Sequence, residues 1–207
     1  NQNLLNGSGV AAGDYDGDGL CDLYFCNLEG SNALYRNLGN GQFENVTGAA
    51  GVACAHMASR GAVFADVDGD GELDIFDPSV PPRLLRNHGG KFTDVTSDSG
   101  LTITGSDSCL AAIAGDYDND GRTDLFVVYA VPNKFVLYRN DGNGHFSDRT
   151  KEAGIASPSA SPPYASAAFA DVDHDGDLDI FVTGPTNILF RNNGNGTFTE
   201  ISKVAGV

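Results

Sequence analysis

Apolar residues in this chain come in short runs, none longer than a strand needs, and the runs recur in a fixed order. A run of small residues comes first: GVAAG at 9–13, GAVFA at 61–65, LAAIAG at 110–115 and SAAFA at 166–170. An acidic stretch follows, then a bulkier run, LYF, DIF, LFVV or DIFV. A third run begins near Leu34, Leu84, Val136 and Ile188 and ends in an Arg-Asn pair. After a glycine-rich turn, a fourth opens on Phe43, Phe92, Phe146 and Phe198. Long helical periodicity is absent, so the pattern predicts an all-β chain of four repeats of about 50 residues, each with four strands. The repeats span approximately 9–51, 61–100, 110–154 and 165–207. The small first strands suit a crowded centre, and the four phenylalanines are expected to anchor each outer hairpin in the core.

Between the first two strands of each repeat stand DYDGDGLCD, DVDGDGELD, DYDNDGRTD and DVDHDGDLD, starting at Asp14, Asp66, Asp116 and Asp171. Carboxylates this close repel one another unless something positive holds them together. A hard cation such as calcium takes six to eight oxygens, and a loop offering them at positions 1, 3, 5, 7 and 9 can wrap it. The candidate ligands are Asp14, Asp16, Asp18, the Leu20 carbonyl and Asp22 in the first loop. In the second they are Asp66, Asp68, Asp70, the Glu72 carbonyl and Asp74. The third offers Asp116, Asp118, Asp120, the Arg122 carbonyl and Asp124, and the fourth Asp171, Asp173, Asp175, the Asp177 carbonyl and Asp179. Position 6 is always glycine (Gly19, Gly71, Gly121, Gly176), where the chain is expected to turn at positive φ. Position 12 lacks the glutamate of an EF-hand and lies in a strand, so these are not EF-hands. Magnesium, with its tighter octahedral demand, fits less well. Asp-Gly pairs also suit metal-free turns, but four loops with one ligand spacing favour four calcium sites.

These loops, with the recurrent [LYF]RN-x-G-N-G-x-F turn, resemble the FG-GAP or VCBS repeat family, whose calcium-bearing repeats are also found in integrin α-subunit heads. The resemblance covers all four repeats. It implies a β-propeller in which each repeat is a four-stranded blade and the acidic loop joins its first and second strands. Family propellers commonly have about seven blades, whereas four are visible here. Either four blades close on themselves, or the missing blades come from a longer parent chain or a neighbouring subunit. The second reading is favoured, and it predicts that the 207-residue chain self-associates. The first residue, Asn1, suggests a processed or trimmed product.

Composition narrows the function. The net charge is −16, with only 12 Lys and Arg and no basic run, which argues against nucleic acid and anionic membranes as partners. No apolar segment approaches the ~20 residues of a membrane span. The aspartates at positions 1, 3, 5 and 9 of the loops are 16 of the 28 acidic residues, and four divalent cations would bring the net charge from −16 to −8. Of the cysteines, Cys54 and Cys109 precede inner strands of neighbouring repeats and are the candidate disulfide; buried free thiols are the alternative. Asn6, Asn45 and Asn195 head N-x-[ST] sequons, candidate glycosylation sites in a secreted protein. Arg36, Arg86, Arg139 and Arg191 recur at one position, as an anion-binding ring or, preferably, as ties from each hairpin to a nearby carboxylate or carbonyl. The histidines show no zinc spacing.

The acidic loops and glycine turns share one face and repeat almost unchanged. The opposite face carries loops that differ in every repeat, and binding residues favour loops on a rigid scaffold. His56, Arg60, Arg83, Tyr129, Lys134 and Tyr164 are expected to populate it, although these connectors could be mere spacers. Two functions follow. The favoured one is a non-catalytic, calcium-stabilised extracellular module, secreted or on the cell surface, for adhesion, protein contact or glycan binding. The other is a carbohydrate-active propeller, a lectin or a polysaccharide lyase-like enzyme, with a base and a uronate-neutralising group drawn from the same residues.

Overall fold

The structure is a computed structural model that describes residues 9–54, 59–78, 81–102, 108–131, 133–157 and 164–207. It holds four antiparallel sheets of four strands, each sheet made of strands consecutive in the chain. The first is β1 (Val10–Gly13), β2 (Asp22–Phe25), β3 (Ala33–Asn37) and β4 (Phe43–Asn45). The second is β5 (Val63–Ala65), β6 (Asp74–Asp77), β7 (Arg83–His88) and β8 (Lys91–Asp94). The third comprises β9 (Ser108–Gly115), β10 (Asp124–Val131), β11 (Lys134–Gly142) and β12 (His145–Asp148). The fourth comprises β13 (Ser166–Ala170), β14 (Asp179–Thr183), β15 (Ile188–Asn192) and β16 (Phe198–Glu200). The first strands β1, β5, β9 and β13 lie beside one another in chain order. Their small side chains allow that approach: a Cβ added at Gly9 would stand 2.7 Å from the Gly61 backbone.

The core consists of three apolar layers, one between each pair of successive sheets. Tyr24 and Leu34 of the first sheet meet Ile75, Leu85 and Phe92 of the second. Phe76 and Leu84 meet Leu125, Val127, Tyr138 and Phe146. Phe126, Val128 and Leu137 meet Ile180, Val182, Phe190 and Phe198. Because side chains alternate along a strand, each sheet offers one face to the sheet before it and the other to the sheet after it. Among the described residues no such layer joins the fourth sheet to the first.

Two expectations need correcting. Phe92, Phe146 and Phe198 are buried, but their counterpart Phe43 is 43 % exposed, because no sheet packs in front of the first one among the described residues. The Cys54–Cys109 disulfide does not form: all four cysteines are free. Cys54 packs in the layer between the first and second sheets, where the Tyr24 hydroxyl stands 3.7 Å from its sulfur. Cys109 is buried in the next layer, across the second sheet.

Each repeat ends in a feature that hydrophobic patterning does not show. Asn45 Oδ1 accepts the Thr47 N–H at 3.1 Å and its hydroxyl at 2.7 Å, an Asx turn that opens the one-turn helix α1 (Thr47–Ala50). Asp94 and Asp148 do the same for Thr96 and Thr150. The same hydroxyl oxygens accept backbone N–H groups of the third strands, from Leu34, Leu84 and Leu137, as Ser202 at the start of α2 (Ser202–Ala205) does from Leu189. The sequon at Asn45 is therefore also one form of a repeated structural turn.

Phe43 and Phe146 occupy equivalent positions with opposite burial, and their truncation separates local from interlayer stability. Phe146→Ala should cost about 3–5 kcal/mol, the usual penalty for emptying a core aromatic site. Phe43→Ala should cost less than ~1 kcal/mol. Urea unfolding at low protein concentration measures both, and equal losses would contradict the layered core.

Candidate functional site

The four acidic loops share one hydrogen-bonded frame. The position-1 carboxylate turns back to accept N–H groups of its own loop: Asp14 from Gly17, Asp18 and Gly19 at 2.8–3.1 Å, and Asp66 from Gly69 and Gly71 at 2.8 and 2.9 Å. Asp116 and Asp171 repeat this with the N–H groups of positions 5 and 6 at 2.8–3.1 Å. The position-5 carboxylate accepts the N–H of position 7 at 2.9–3.0 Å in all four loops. Position 6 has φ between 83° and 95°, and no atom lies near where a Cβ would stand, so glycine serves backbone conformation rather than space. Position 4 is also left-handed, with φ of 58° at Asn119 and 61° at His174, where the other loops carry glycine.

Position 9 is buried. Asp22, Asp74, Asp124 and Asp179 are at most 1 % exposed. One oxygen of each accepts the position-2 N–H (Tyr15, Val67, Tyr117, Val172) at 2.9–3.1 Å. The other accepts an N–H from the third strand (Asn37, Asn87, Asn140, Asn192) at 2.7–2.8 Å. Burial pushes the Asp74 carboxyl up to about 6 and the Asp124 carboxyl up to about 7, against the opposing pull of those N–H groups, and raises Asp22 in the same direction.

The carboxylates converge as the spacing predicts, though not with one set of members. Oxygens of Asp14, Asp16 and Asp18 lie within 4.8 Å of one another, as do those of Asp66, Asp68 and Asp70. In the third loop the set is Asp116, Asp118 and Asp124, and in the fourth Asp171, Asp173 and Asp179. Two ligands on one calcium ion at 2.3–2.6 Å stand at most about 5 Å apart, so these clusters have the right span. Asp16 Oδ1 and Asp118 Oδ1 are buried without a hydrogen-bond partner. An unpaired buried carboxylate oxygen is costly, and a hard cation is the partner that suits it. The residues present therefore fit such an ion.

The recurrent arginines take the outer side of three loops. Arg36 reaches Asp16 Oδ2 at 2.6 Å and Asp18 Oδ2 at 3.0 Å, and Arg86 reaches Asp68 Oδ2 at 2.9 Å. Arg139 spans Asp118 and Asp120 at 2.6 and 2.8 Å, and Arg122 adds a second ion pair to Asp120. Arg191 is exposed and makes no ion pair among the described residues. Of the other position-7 side chains, Leu20 packs near Gly39, Glu72 accepts the Gly89 N–H, and Asp177 accepts the Asn119 amide at 2.6 Å. His88 joins Asp70 and Glu72 in an exposed cluster that spacing along the chain did not reveal.

The variable face is less open than expected. Tyr129 is fully buried with the Lys134 ammonium 4.6 Å from its ring centre, and Tyr164 is packed edge-on against Phe135. Both are core residues: Tyr129 lies in β10, whose residues from Leu125 to Tyr129 are all buried, and Tyr164, ahead of β13, packs into the layer between the third and fourth sheets. Arg83 is paired with Asp94 at 2.5 Å, Arg60 is exposed, and His56 lies outside the described residues. These groups do not converge. Asn45 and Asn195 are exposed, and Asn6 is outside the described residues.

Fold and loops together define a repeat protein whose unit is a four-stranded sheet with a nine-residue acidic loop between its first two strands. The chain belongs to the FG-GAP-like repeat family, whose model matches residues 6–76, 79–127 and 116–182. It is 27% identical over 189 residues to cartilage acidic protein 1 of Xenopus tropicalis, covering 86% of this chain and 28% of that protein. The Mus musculus protein of the same name is 32% identical over 142 residues, covering 64% and 22%. The chain thus spans between about a fifth and just over a quarter of the length of the curated relatives it matches. Among solved structures, the V. cholerae biofilm matrix protein Bap1 aligns with a TM-score of 0.50 and 20% identity, over 95% of this chain and 28% of that one, a likeness of fold.

The raised carboxyls set a pH dependence for the metal-free protein. A group with a raised folded-state pKa adds stability that is full below its ordinary value of 3.8 and is lost as pH rises through its folded value. In chelator, the melting temperature should therefore fall as pH rises from about 4, most steeply between the ordinary and the raised values, and level off above about pH 7. A flat or rising profile over that window would contradict the burial of Asp74 and Asp124.

Proposed function

We propose that this chain is a calcium-stabilised, non-catalytic module of the extracellular space, built as a β-propeller or a segment of one. The observation that carries the reading is the fourfold convergence of loop carboxylates around a cation-sized gap, with buried oxygens of Asp16 and Asp118 left without a donor. The proposed ligands are the carboxylates at positions 1, 3, 5 and 9 and the position-7 carbonyl, four ions in all. Side-by-side first strands support the propeller. The names of the similar proteins, one from cartilage and one from a biofilm matrix, support an extracellular adhesive or structural role. Among the described residues no helix is long and apolar enough to cross a membrane.

Protein or glycan binding is assigned to the face opposite the acidic loops. A cleft of about 410 Å³ there runs between the third and fourth sheets, lined by Ser157, Tyr164, Thr186, Asn187, Glu200 and Lys203 among others. Its size suits a small saccharide or a peptide side chain. The lyase-like alternative loses support from the fully buried Tyr129, which cannot reach a solvent-borne polysaccharide.

Calorimetric titration should count four calcium ions per chain. With free calcium about 100 times the dissociation constant, each site adds roughly 2.7 kcal/mol, so four add about 10 kcal/mol, comparable to the stability of a whole domain. Chelation should lower the melting temperature steeply, and an unchanged melt would sink the proposal.

Asp18→Ala should reduce the count by one and leave the other three sites filled, since repeat arrays couple mainly to nearest neighbours. Release of all four ions by that change would show the loops to be a single cooperative unit.

A further inference from the structure

The four acidic loops share a backbone frame but differ in what holds their side chains, and the difference falls on the arginine of the third strand. In the first and third loops its guanidinium spans two carboxylates. Arg36 takes Asp16 Oδ2 at 2.6 Å and Asp18 Oδ2 at 3.0 Å, and Arg139 takes Asp118 Oδ2 at 2.6 Å and Asp120 Oδ2 at 2.8 Å. Positions 3 and 5 are thereby held from outside by one rigid, planar fork. In the second loop the fork is divided. Arg86 reaches Asp68 Oδ2 at 2.9 Å, but its other arm leaves the loop and donates to the Asn143 carbonyl of the next repeat at 2.8 Å. In the fourth, Arg191 is exposed and makes no ion pair among the described residues.

The position-3 carboxylate follows that difference. Asp16 and Asp118, held through Oδ2, each keep Oδ1 buried and without a hydrogen-bond partner. Asp68 Oδ1 instead accepts the Asp70 N–H at 3.3 Å, and Asp173 is exposed. Among the described residues, the two-pronged contact and the unpaired oxygen occur together in two loops and are both missing from the other two. The common frame does not separate these pairs of loops. In all four, position 1 accepts the N–H of position 6 and position 5 accepts that of position 7. A carboxylate free to turn would offer its lone oxygen to water, and the guanidinium removes that choice.

We propose that Arg36 and Arg139 are positioning residues for the bound cation: by holding the outer oxygens at positions 3 and 5, each keeps the second oxygen of position 3 dry and available to the ion. This rests on the calcium reading above and adds what sets the affinity and selectivity of two of the sites. Partners that hydrogen-bond to metal ligands from behind typically matter roughly 10–100-fold in affinity. A guanidinium also repels the ion, so two effects of opposite sign meet. Arg36 and Arg139 are 38 % and 32 % exposed, and water screens the repulsion there, so the positioning effect prevails. Calcium and magnesium carry the same charge, so repulsion cancels in the ratio of their affinities. Positioning does not cancel. Magnesium keeps several waters and uses one or two carboxylates, whereas calcium draws on the whole set.

Calorimetric titration of the whole chain with calcium, and separately with magnesium, tests this in Arg36→Gln and Arg139→Gln. Each variant should keep three sites at their original calcium affinity and weaken one by roughly 10–100-fold, with a smaller loss for magnesium. Arg36→Lys and Arg139→Lys, which keep the charge without the fork, should behave like the glutamine variants. Arg191→Gln, at the equivalent position without the contact, should change neither ion. A glutamine variant that binds calcium as before or more tightly overturns the proposal. Full affinity in the lysine variants, or equal losses for both ions, overturns it too, because either marks an effect of charge. Weakening of all four sites marks a general loss of structure and is equally fatal. If the unaltered chain takes up no calcium, the calcium reading falls and the proposal with it. Four bound ions with unaffected arginine variants would remove the positioning role alone.

Discussion

A buried carboxylate stands at the same point of every repeat, and the architecture depends on it. Asp22, Asp74, Asp124 and Asp179 each accept one N–H from the acidic loop and one from the third strand. Three elements distant in sequence are thereby tied at one side chain. The next residue in that network, the Asn of the Arg-Asn pair, extends the tie to the sheet before it. Burying a carboxylate is unfavourable unless its oxygens are satisfied. Here satisfaction requires the loop and the hairpin to be in place together, and the asparagine side chain links that joint to the preceding repeat, which makes a run of short strands cooperative.

The same joint decides how the loop electrostatics work. Positions 1, 5 and 9 are each held by backbone donors, which keeps their carboxylates close together. In three repeats an arginine from the third strand takes oxygens on the outer side and leaves the inner oxygens of Asp16 and Asp118 unpaired. The guanidinium relieves part of the repulsion without filling the centre. The fourth loop lacks that contact, and its neighbouring acids push the Asp173 carboxyl upward after burial has done so. The four loops are alike in frame and unlike in charge balance.

Much of this was legible in the sequence. The strand order, the acidic loops and the positive φ at position 6 follow from patterning and from the chemistry of Asp and Gly. What escaped reading depends on who stands next to whom. Phe43 looks like Phe146, and nothing along the chain says that one is covered and the other is not. Cys54 and Cys109 occupy similar places in successive repeats, which suggested a bridge, yet a whole sheet lies between their layers. Tyr129 and Tyr164 sit in segments that differ between repeats, and variability suggested exposure; packing into the layers between neighbouring sheets buried them instead. His174 in a left-handed position and the Asx turns at Asn45, Asp94 and Asp148 were missed because single hydrogen bonds leave no hydrophobic period.

The division between the two ends of each sheet follows from the same forces. At the acidic end, the interlocked demands of a buried carboxylate, a left-handed glycine and a bridging asparagine leave few residue types that satisfy all partners. The loops there repeat because the physics of each is the same. At the opposite end, the described residues of the second-to-third loops and the connectors carry no buried charge common to the four repeats, so NLEGSN and TGPTN can each close a turn in its own way. A scaffold fixed at one end leaves chemistry free to vary at the other, and that is where recognition by a rigid repeat protein can differ from one repeat to the next.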